Sequence, residues 1–173
     1  RAQEVGAIDT GATNPADAIR GSGIVVLATP VVTIIDLIER LGPALPSKTL
    51  LTDVGSTKGE VANRAQKVFG KAVAQRFLAG HPMAGKEQSG VEFADADLFQ
   101  GAAWFVAPFS GQDVYSGLSG EFLEWVEKIG ARIAHLPAPE HDQLCAWISH
   151  LPQMIATALA ASLVDEFGPA PLL

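Results

Sequence analysis

The feature that most constrains the fold of this chain is a repeated alternation of short apolar runs with amphipathic segments. Residues 23–27 form a continuous apolar run, which is typical of a strand buried on both faces. Residues 31–41 then place their apolar side chains at helical spacing. Residues 50–54 and 60–69 repeat this pair, and residues 76–79 begin a third strand. The alternation predicts an α/β fold with a parallel sheet.

The second half of the chain continues this pattern and then departs from it. Residues 104–107 and 131–136 predict two further strands, with a helix over residues 113–129 between them. From Leu144 to Leu163 the sequence carries a single apolar stripe at spacings of three and four residues. This stripe predicts one long helix or two helices that meet at Pro152.

This change of pattern indicates a domain boundary. We expect an α/β domain over residues 1–138, followed by the start of an all-helical domain over residues 139–173.

Composition and charge exclude several classes of partner. The net charge is −7 and the sequence has no basic stripe, so nucleic acid and anionic membranes are poor candidates. The longest apolar stretches, residues 24–33 and 154–164, fall short of the roughly 18 residues that a membrane helix needs. Cys145 is the only cysteine, which fits a reducing compartment, and we expect a cytoplasmic protein.

The clearest candidate for chemistry is His81. It follows an apolar run and stands among three glycines, Gly80, Gly85 and Gly90. Loops at the carboxyl ends of strands carry the ligand sites of open α/β sheets, and a histidine with a pKa near 6.5 can exchange a proton at neutral pH. The alternative is a hydrogen-bonded loop histidine without a chemical role, which this position disfavours. Glu87 could gate or orient a site in the same segment, although on its own a solvated loop charge is the better explanation.

Other candidates carry evenly balanced alternatives. Asp53 and Ser56 lie where a strand leads into a helix. This segment meets a polar ligand, forms a helix cap with Thr57 and Glu60 as a capping box, or does both, with Thr57 capping and Ser56 facing the ligand. The turn at residues 29–30 either lies beside a cofactor or simply ends a strand. The pair at residues 149–150 is either part of a site or a hydrogen-bonded feature of the helix kink. The four histidines lack metal-ligand spacing and no cluster of cysteine with histidine is visible, so we expect no metal.

Taken together, these segments resemble the prephenate/arogenate dehydrogenase family of tyrosine biosynthesis. The order and spacing of the motifs agree from about Gly6 to Val164. The sequences His-Pro-Met-Ala-Gly at residues 81–85 and Ser-His-Leu-Pro at residues 149–152 are the most specific. The matching residues, in chain order, are 25–30, 53–58, 80–85 with Glu87, Ser89 and Gly90, then 98–99, 141–142 and 146–152.

The resemblance implies a fold and an activity. It implies a Rossmann-like nucleotide-binding domain followed by a helical domain that dimerises, as in the wider 6-phosphogluconate-dehydrogenase-like group. It also implies an oxidoreductase that uses NAD or NADP to oxidise the C4 hydroxyl of prephenate or arogenate, with loss of carbon dioxide. The products are 4-hydroxyphenylpyruvate or tyrosine, and the partners are the small-molecule substrate and a second copy of the protein.

The resemblance also assigns roles to individual residues. His81 and Ser56 match the catalytic positions, with His81 as the group that bonds the C4 hydroxyl and helps to remove its proton. The residues implied in substrate binding are His150, Ser149, Gln153 and Glu87. The residues implied in cofactor binding are Thr29, Pro30, Asp53 and Ser56.

Three departures from the family pattern shape the expectation. The first βαβ unit with its Gly-x-Gly-x-x-Gly motif and most of the helical domain are absent, so we expect the chain itself to be inactive and to bind cofactor weakly. Gln153 stands where some prephenate-using members have a second histidine, which keeps arogenate open as substrate. One alternative is another β-hydroxy-acid dehydrogenase. Such enzymes typically use a catalytic lysine on the helical domain, and residues 141–165 contain none, which counts against this alternative. The other alternative is a non-catalytic relic of the fold.

Overall fold

A computed structural model describes residues 1–88 and 90–168 of the chain. The motif residue Ser89 and the last five residues of the expected helical domain, 169–173, lie outside the described residues. Within the described part, five strands form one sheet with helices on both faces, which confirms the Rossmann-like α/β class.

The strands lie side by side in the order of the sequence. They are β1 (Ile24–Leu27), β2 (Leu50–Asp53), β3 (Phe77–Pro82), β4 (Ala103–Ala107) and β5 (Arg132–His135). The α-helices are α1 (Pro15–Ala18), α2 (Val31–Leu41), α3 (Gly59–Phe69), α4 (Val73–Arg76), α5 (Gly117–Lys128), α6 (Ala138–Cys145) and α7 (Leu151–Phe167). Short 3-10 turns cover Gly42–Ala44, Gly70–Ala72 and Val91–Phe93, and a π-helical turn covers Ala146–His150.

The sheet is mixed, so the prediction of a wholly parallel sheet is wrong for its second half. Strands β1, β2 and β3 are parallel, β4 runs antiparallel to β3, and β5 is parallel to β4. A parallel connection needs a crossover, usually a helix. Residues 83–102 contain only the 3-10 turn Val91–Phe93 among their described residues, and the chain returns along β3 instead of crossing the sheet.

This antiparallel pairing also changes the setting of His81. The sequence indicated a strand that ends at Ala79 and a loop from Gly80 onward. In the structure β3 continues to Pro82, and His81 pairs with Phe105 of β4. The neighbouring strand gives the backbone of residues 79–82 its partners, so His81 is held on a strand and not on a loop.

The core consists of two apolar layers, one on each face of the sheet. Neighbouring residues of a strand point to opposite faces, and so Phe77 packs in the layer under α2 and α3 while Leu78 packs in the layer under α5. Helix α5 begins at Gly117, four residues after the predicted start at Asp113. The side chain of Asp113 accepts a hydrogen bond from the backbone N–H of Tyr115 and forms a turn there instead.

The C-terminal segment is one continuous helix, Ala138–Phe167, which decides between the two alternatives left open by the sequence. The π-helical turn directly precedes Pro152, which lies in the first turn of α7. Wider turns of this kind accommodate local irregularity in a helix. None of the residues of α7 is buried.

By length and composition alone, this helix could cross a membrane, since its best window has a mean hydropathy of 1.3 and only 6% of that window is buried. The expectation from continuous apolar stretches did not foresee this, because polar residues interrupt the helix without lowering its average enough. A helix that packs an apolar face against another protein surface has the same length and composition.

Candidate functional site

The candidate site lies at the carboxyl ends of the three parallel strands. Because β1, β2 and β3 are in register, the residues that follow them emerge at the same edge of the sheet. Thr29 and Pro30 follow β1, Ser56 follows β2, and all three are exposed. His81 lies near the end of β3 and is half-buried. The fold thus brings the predicted residues of three separate segments to one edge.

A buried ion pair fixes the backbone next to His81. Lys58 and Asp53 have no exposed side-chain surface and form a salt bridge. Lys58 Nζ also donates to the carbonyl oxygen of Gly80 at 2.7 Å. The Asp53 carboxylate accepts from the backbone N–H groups of Gly55 at 2.9 Å and Gly80 at 3.3 Å. Strand β3 is therefore clamped to β2 at the residue that precedes His81.

Burial perturbs both members of this pair. It raises the pKa of Asp53 and lowers the pKa of Lys58, and in each case the attraction of the partner opposes the shift. Asp53 was predicted to contact a cofactor, but its carboxylate is enclosed and already accepts three hydrogen bonds. Its contribution to a site at this edge is to hold the Gly55 and Gly80 backbone in place.

A chain of hydrogen bonds connects His81 to the helical segment. His81 Nδ1 lies 2.9 Å from His141 Nε2, and His141 Nδ1 lies 2.8 Å from an oxygen of Asp142. A carboxylate only accepts, so His141 donates from Nδ1 and its Nε2 is left as an acceptor. His81 then donates from Nδ1 and retains a lone pair on Nε2. The arrangement selects the tautomer of His81 that has a free basic nitrogen.

Asp142 also forms the cap of helix α3. Its two carboxylate oxygens accept from the backbone N–H groups of Lys58 at 2.6 Å and Gly59 at 2.8 Å. The capping box suggested for Thr57 and Glu60 does not form, because the helix begins at Gly59 and has no local side-chain cap. Burial acts to raise the pKa of Asp142, but the bonds from Lys58, Gly59 and His141 outweigh it and the pKa is lowered. Asp142 is therefore a carboxylate at neutral pH.

The surroundings of His81 keep it neutral. Burial, followed by the nearby His141, Lys58 and His150, lowers the pKa of His81 to about 4, and only Asp142 opposes the shift. At neutral pH the imidazole is therefore uncharged, as a group that accepts a proton must be.

The same region contradicts the expectation that no histidine–cysteine cluster exists. Cys145 Sγ lies 3.4 Å from His141 Nε2 and 3.9 Å from His81 Nδ1, and both His141 and Cys145 are fully buried. His141 and Cys145 are one turn apart on α6, while His81 comes from β3. The spacing argument failed because a strand 60 residues away supplies the third group.

A cavity of about 450 Å³ opens beside His81. Ser149 and Gln153 of the helix line it together with His81 and residues 82–85 of the following turn. His150 faces a separate apolar depression lined by Trp147, Leu151 and Met154. Glu87 is exposed and does not line the cavity. Of the four residues predicted for substrate binding, Ser149 and Gln153 line the cavity beside His81.

Sequence reasoning missed the residues that support His81. Lys58, His141 and Asp142 belong to recognised motifs but received no role from the sequence, and Cys145 indicated only a reducing compartment. The adjacent His141-Asp142 pair was the one available signal, because a histidine next to a carboxylate is a common orienting arrangement. Its partner could not be identified without the fold.

The edge beside β1 has features suited to a cofactor phosphate or ribose. Helix α2 begins at Val31 without a side-chain cap, so the backbone N–H groups of its first turn have no side-chain acceptor. Helix N-termini of this kind bind anions and polar ligands. Thr29, Pro30 and Ser56 stand exposed at the same edge.

Comparison with known proteins identifies the fold and the site segments as those of one family. Residues 1–135 match the family model for the prephenate dehydrogenase nucleotide-binding domain, and residues 137–171 match that for the prephenate dehydrogenase dimerization domain. A prephenate dehydrogenase from Lactococcus lactis subsp. cremoris is 31% identical over 99% of this chain and 46% of its own length. The chain spans about half the length of the curated relatives that it matches along most of its sequence.

Solved structures agree with this match. Prephenate dehydrogenase from Aquifex aeolicus, crystallised with hydroxyphenyl propionate and NAD+, has a TM-score of 0.82 and 31% identity, covering 95% of this chain and 56% of that one. Arogenate dehydrogenase from Synechocystis has a TM-score of 0.75 and 30% identity, covering 97% of this chain and 58% of that one. With both family models matched in order along the same polypeptide, this chain belongs to the prephenate dehydrogenase family.

Proposed function

We propose that the protein that carries this chain is an NAD(P)-dependent dehydrogenase that oxidises prephenate or arogenate with loss of carbon dioxide. The observation that carries the proposal is the chain from Asp142 through His141 to His81, which leaves a basic nitrogen on a residue that lines a cavity. Prephenate and arogenate dehydrogenases among its relatives support the substrate class. Because the chain spans about half of those relatives, the activity is proposed for the complete protein.

In this reaction His81 Nε2 accepts the proton of the C4 hydroxyl. Loss of that proton helps the C4 hydrogen to leave as hydride, and the ring becomes aromatic as its carboxyl group leaves as carbon dioxide. NAD+ or NADP+ supplies the hydride acceptor. This chain has three tasks. It keeps His81 neutral, keeps the His81 Nδ1 proton in a hydrogen bond to His141, and places the substrate hydroxyl beside His81 Nε2.

The predicted binding residues fit this arrangement in two groups. Thr29, Pro30 and Ser56, at the ends of β1 and β2, would border the cofactor, and Ser56 would lie between cofactor and substrate. Ser149 and Gln153 would meet the substrate in the cavity beside His81. His150 and Glu87 do not line that cavity, and we propose for them a role at its entrance that depends on the rest of the protein.

We also propose a domain division after residue 138, with the helical segment contributing to a homodimer. The two family models meet between residues 135 and 137, and the second is a dimerization domain. A helix such as α7, whose residues are all unburied, needs a partner surface. The cytoplasm remains our predicted location for this enzyme.

The proposal is tested with the protein expressed from the complete reading frame that encodes the chain. Formation of reduced nicotinamide is followed with prephenate or arogenate, each paired with NAD+ or NADP+. Turnover with one pair would establish the activity and both specificities. A folded protein that is silent with all four pairs would reject the proposal and favour the β-hydroxy-acid or non-catalytic alternative.

Two variants test the role of His81 and its support. His81→Asn should lower kcat by about 10²- to 10⁴-fold, the usual contribution of a general base. Asp142→Asn keeps an oxygen that can accept from Lys58 and His141, but it removes the negative charge beside His141 and the acceptor for the Gly59 N–H, and should lower kcat more than it changes KM. His135→Asn is the matched control, since His135 is an exposed histidine bonded to Tyr115. Unchanged turnover in His81→Asn would contradict the assigned role.

A further inference from the structure

We infer that His81, His141 and Cys145 form a binding site for Zn²⁺. These three side chains are called the triad below. Their ligand atoms, His81 Nδ1, His141 Nε2 and Cys145 Sγ, all lie within 4.8 Å of one another. Two imidazoles and one thiolate are a donor set that zinc prefers, and a site with three protein ligands leaves a fourth position open for water.

The separations within the triad are close to those of a tetrahedral zinc site. With Zn–N distances of about 2.0–2.1 Å and a Zn–S distance of about 2.3 Å, tetrahedral geometry places two nitrogens about 3.3 Å apart and nitrogen and sulfur about 3.6 Å apart. The observed N···N distance is 2.9 Å, and the observed N···S distances are 3.4 and 3.9 Å. Admission of the ion requires changes of a few tenths of an ångström in these separations and a rotation of the two imidazoles, whose nitrogens point at each other in the hydrogen bond.

The surroundings of the triad suit a bound cation. Asp142 accepts a hydrogen bond from His141 Nδ1, and this is the outer carboxylate that orients and strengthens a histidine ligand. Lys58, a buried cation that acts on His81, is neutralised by its salt bridge with Asp53. The cavity beside half-buried His81 brings solvent to one of the three ligand residues.

Binding changes the proton inventory in a defined way. Zinc replaces the thiol proton of Cys145, which leaves to solvent. Zinc also takes the lone pair of His81 Nδ1, so the single proton of this neutral imidazole moves to Nε2. His141 keeps its Nδ1 proton and continues to donate it in the hydrogen bond to Asp142. On the proposed function, this change turns the basic nitrogen that faces the substrate into a donor, and zinc would inhibit turnover.

Cobalt provides a direct test of binding that needs no substrate. Titration of the full chain with Co²⁺ should produce the thiolate-to-cobalt charge-transfer band and the intense visible bands of four-coordinate cobalt, and Zn²⁺ should abolish both. Cys145 is the only cysteine, so the charge-transfer band reports this residue alone. Absence of any spectral change with excess Co²⁺, or visible bands without the charge-transfer band, would overturn the inference.

Variants assign the signal to the triad. Cys145→Ser should remove the charge-transfer band, and Asp142→Asn should weaken zinc binding by about 10- to 100-fold, as loss of an outer-shell partner does. His135→Gln, at an exposed histidine, should change neither result. Circular dichroism checks that each variant folds, and the wild-type spectrum decides the question even if one does not.

Inhibition is a separate measurement. If turnover is established, micromolar Zn²⁺ should abolish it and a chelator should restore it. A cobalt spectrum without turnover under any condition would reject the proposed function and leave the metal site intact.

Discussion

The polar edge of the sheet and the exposed helix α7 are opposite in polarity and in burial. At the edge, Asp53, Lys58 and His141 are charged or polar and fully buried, and each has its hydrogen-bond partners within the chain. Helix α7 is apolar, and none of its residues is buried. The buried polar groups of the edge have hydrogen-bond partners within the chain, whereas the apolar surface of α7 is left exposed. The site chemistry is thus built where α6 packs against the edge of the sheet, and the apolar surface of α7 is left for another protein surface.

The largest effect should come from breaking the buried ion pair. Lys58→Met leaves the Asp53 carboxylate buried without its cation and should lower the free energy of unfolding by about 3–5 kcal/mol in urea denaturation. Lys86→Met is the matched control, because Lys86 pairs with Asp95 at the surface, and it should have no measurable effect. Equal losses in the two variants would show that the edge is not the self-contained region described here.

A methyl group at Gly80 should have the next largest effect. An added Cβ would lie 2.9 Å from the Asp53 carbonyl oxygen and 3.0 Å from Trp104 Nε1. Gly80→Ala should therefore destabilise the fold by about 1–3 kcal/mol through overpacking. Gly85→Ala, where nothing lies within 4 Å of the added atom, is the control. A neutral Gly80→Ala would mean that β2 and β3 can separate at this edge.

Acid should destabilise the edge through His81. Its pKa falls from 6.5 in the unfolded chain to about 4 in the fold, so between these values the unfolded state binds more protons. The contribution of neutral His81 to the free energy of unfolding is fully present above pH 6.5 and is lost as the pH falls toward 4. Because the side chain is half-buried, solvent screening reduces the loss to on the order of 1–2 kcal/mol. Between pH 6.5 and 4 the wild type should lose more free energy of unfolding than His81→Asn in denaturation experiments, and parallel curves would contradict this.

The smallest effect on folding should come from α7. Leu159 is 58% exposed, so Leu159→Gln should change the free energy of unfolding by less than about 0.5 kcal/mol. The same substitution should weaken self-association of the complete protein, measured by sedimentation velocity. A loss of several kcal/mol in the unfolding of the chain alone would show that α7 packs within one copy, and the contrast with the polar edge would disappear.

Local patterns along the chain predicted the elements well because periodicity and apolar runs report burial. The helix predicted over residues 31–41 has the observed bounds Val31–Leu41, and each predicted strand is present. Strand direction was not encoded locally. It depended on whether the long connection after β3 contained a crossover helix, and that connection is too rich in turn residues for its course to be read from periodicity.

The candidate site was predictable only in part for a related reason. His81, Ser56 and the turn after β1 are recognisable because they follow strands. The groups that hold His81 come from α6, and one of them, Asp142, interacts across 84 residues with the backbone of Lys58. A side chain that caps a distant helix carries no local signature. Such pairings follow from tertiary packing, which the sequence specifies only through the whole fold.

The Asp142 cap has a mechanical consequence. It fastens the first turns of the helical segment to the start of α3, so the physical joint of the molecule does not coincide with the change in sequence pattern at residue 139. Helix α6 moves with the sheet, and any relative rotation of the C-terminal part must bend the chain after Cys145. The π-helical turn Ala146–His150 occupies that position. A rotation of α7 relative to the sheet would therefore change the positions of Ser149 and His150, while His81, His141 and Asp142 would keep their relative positions.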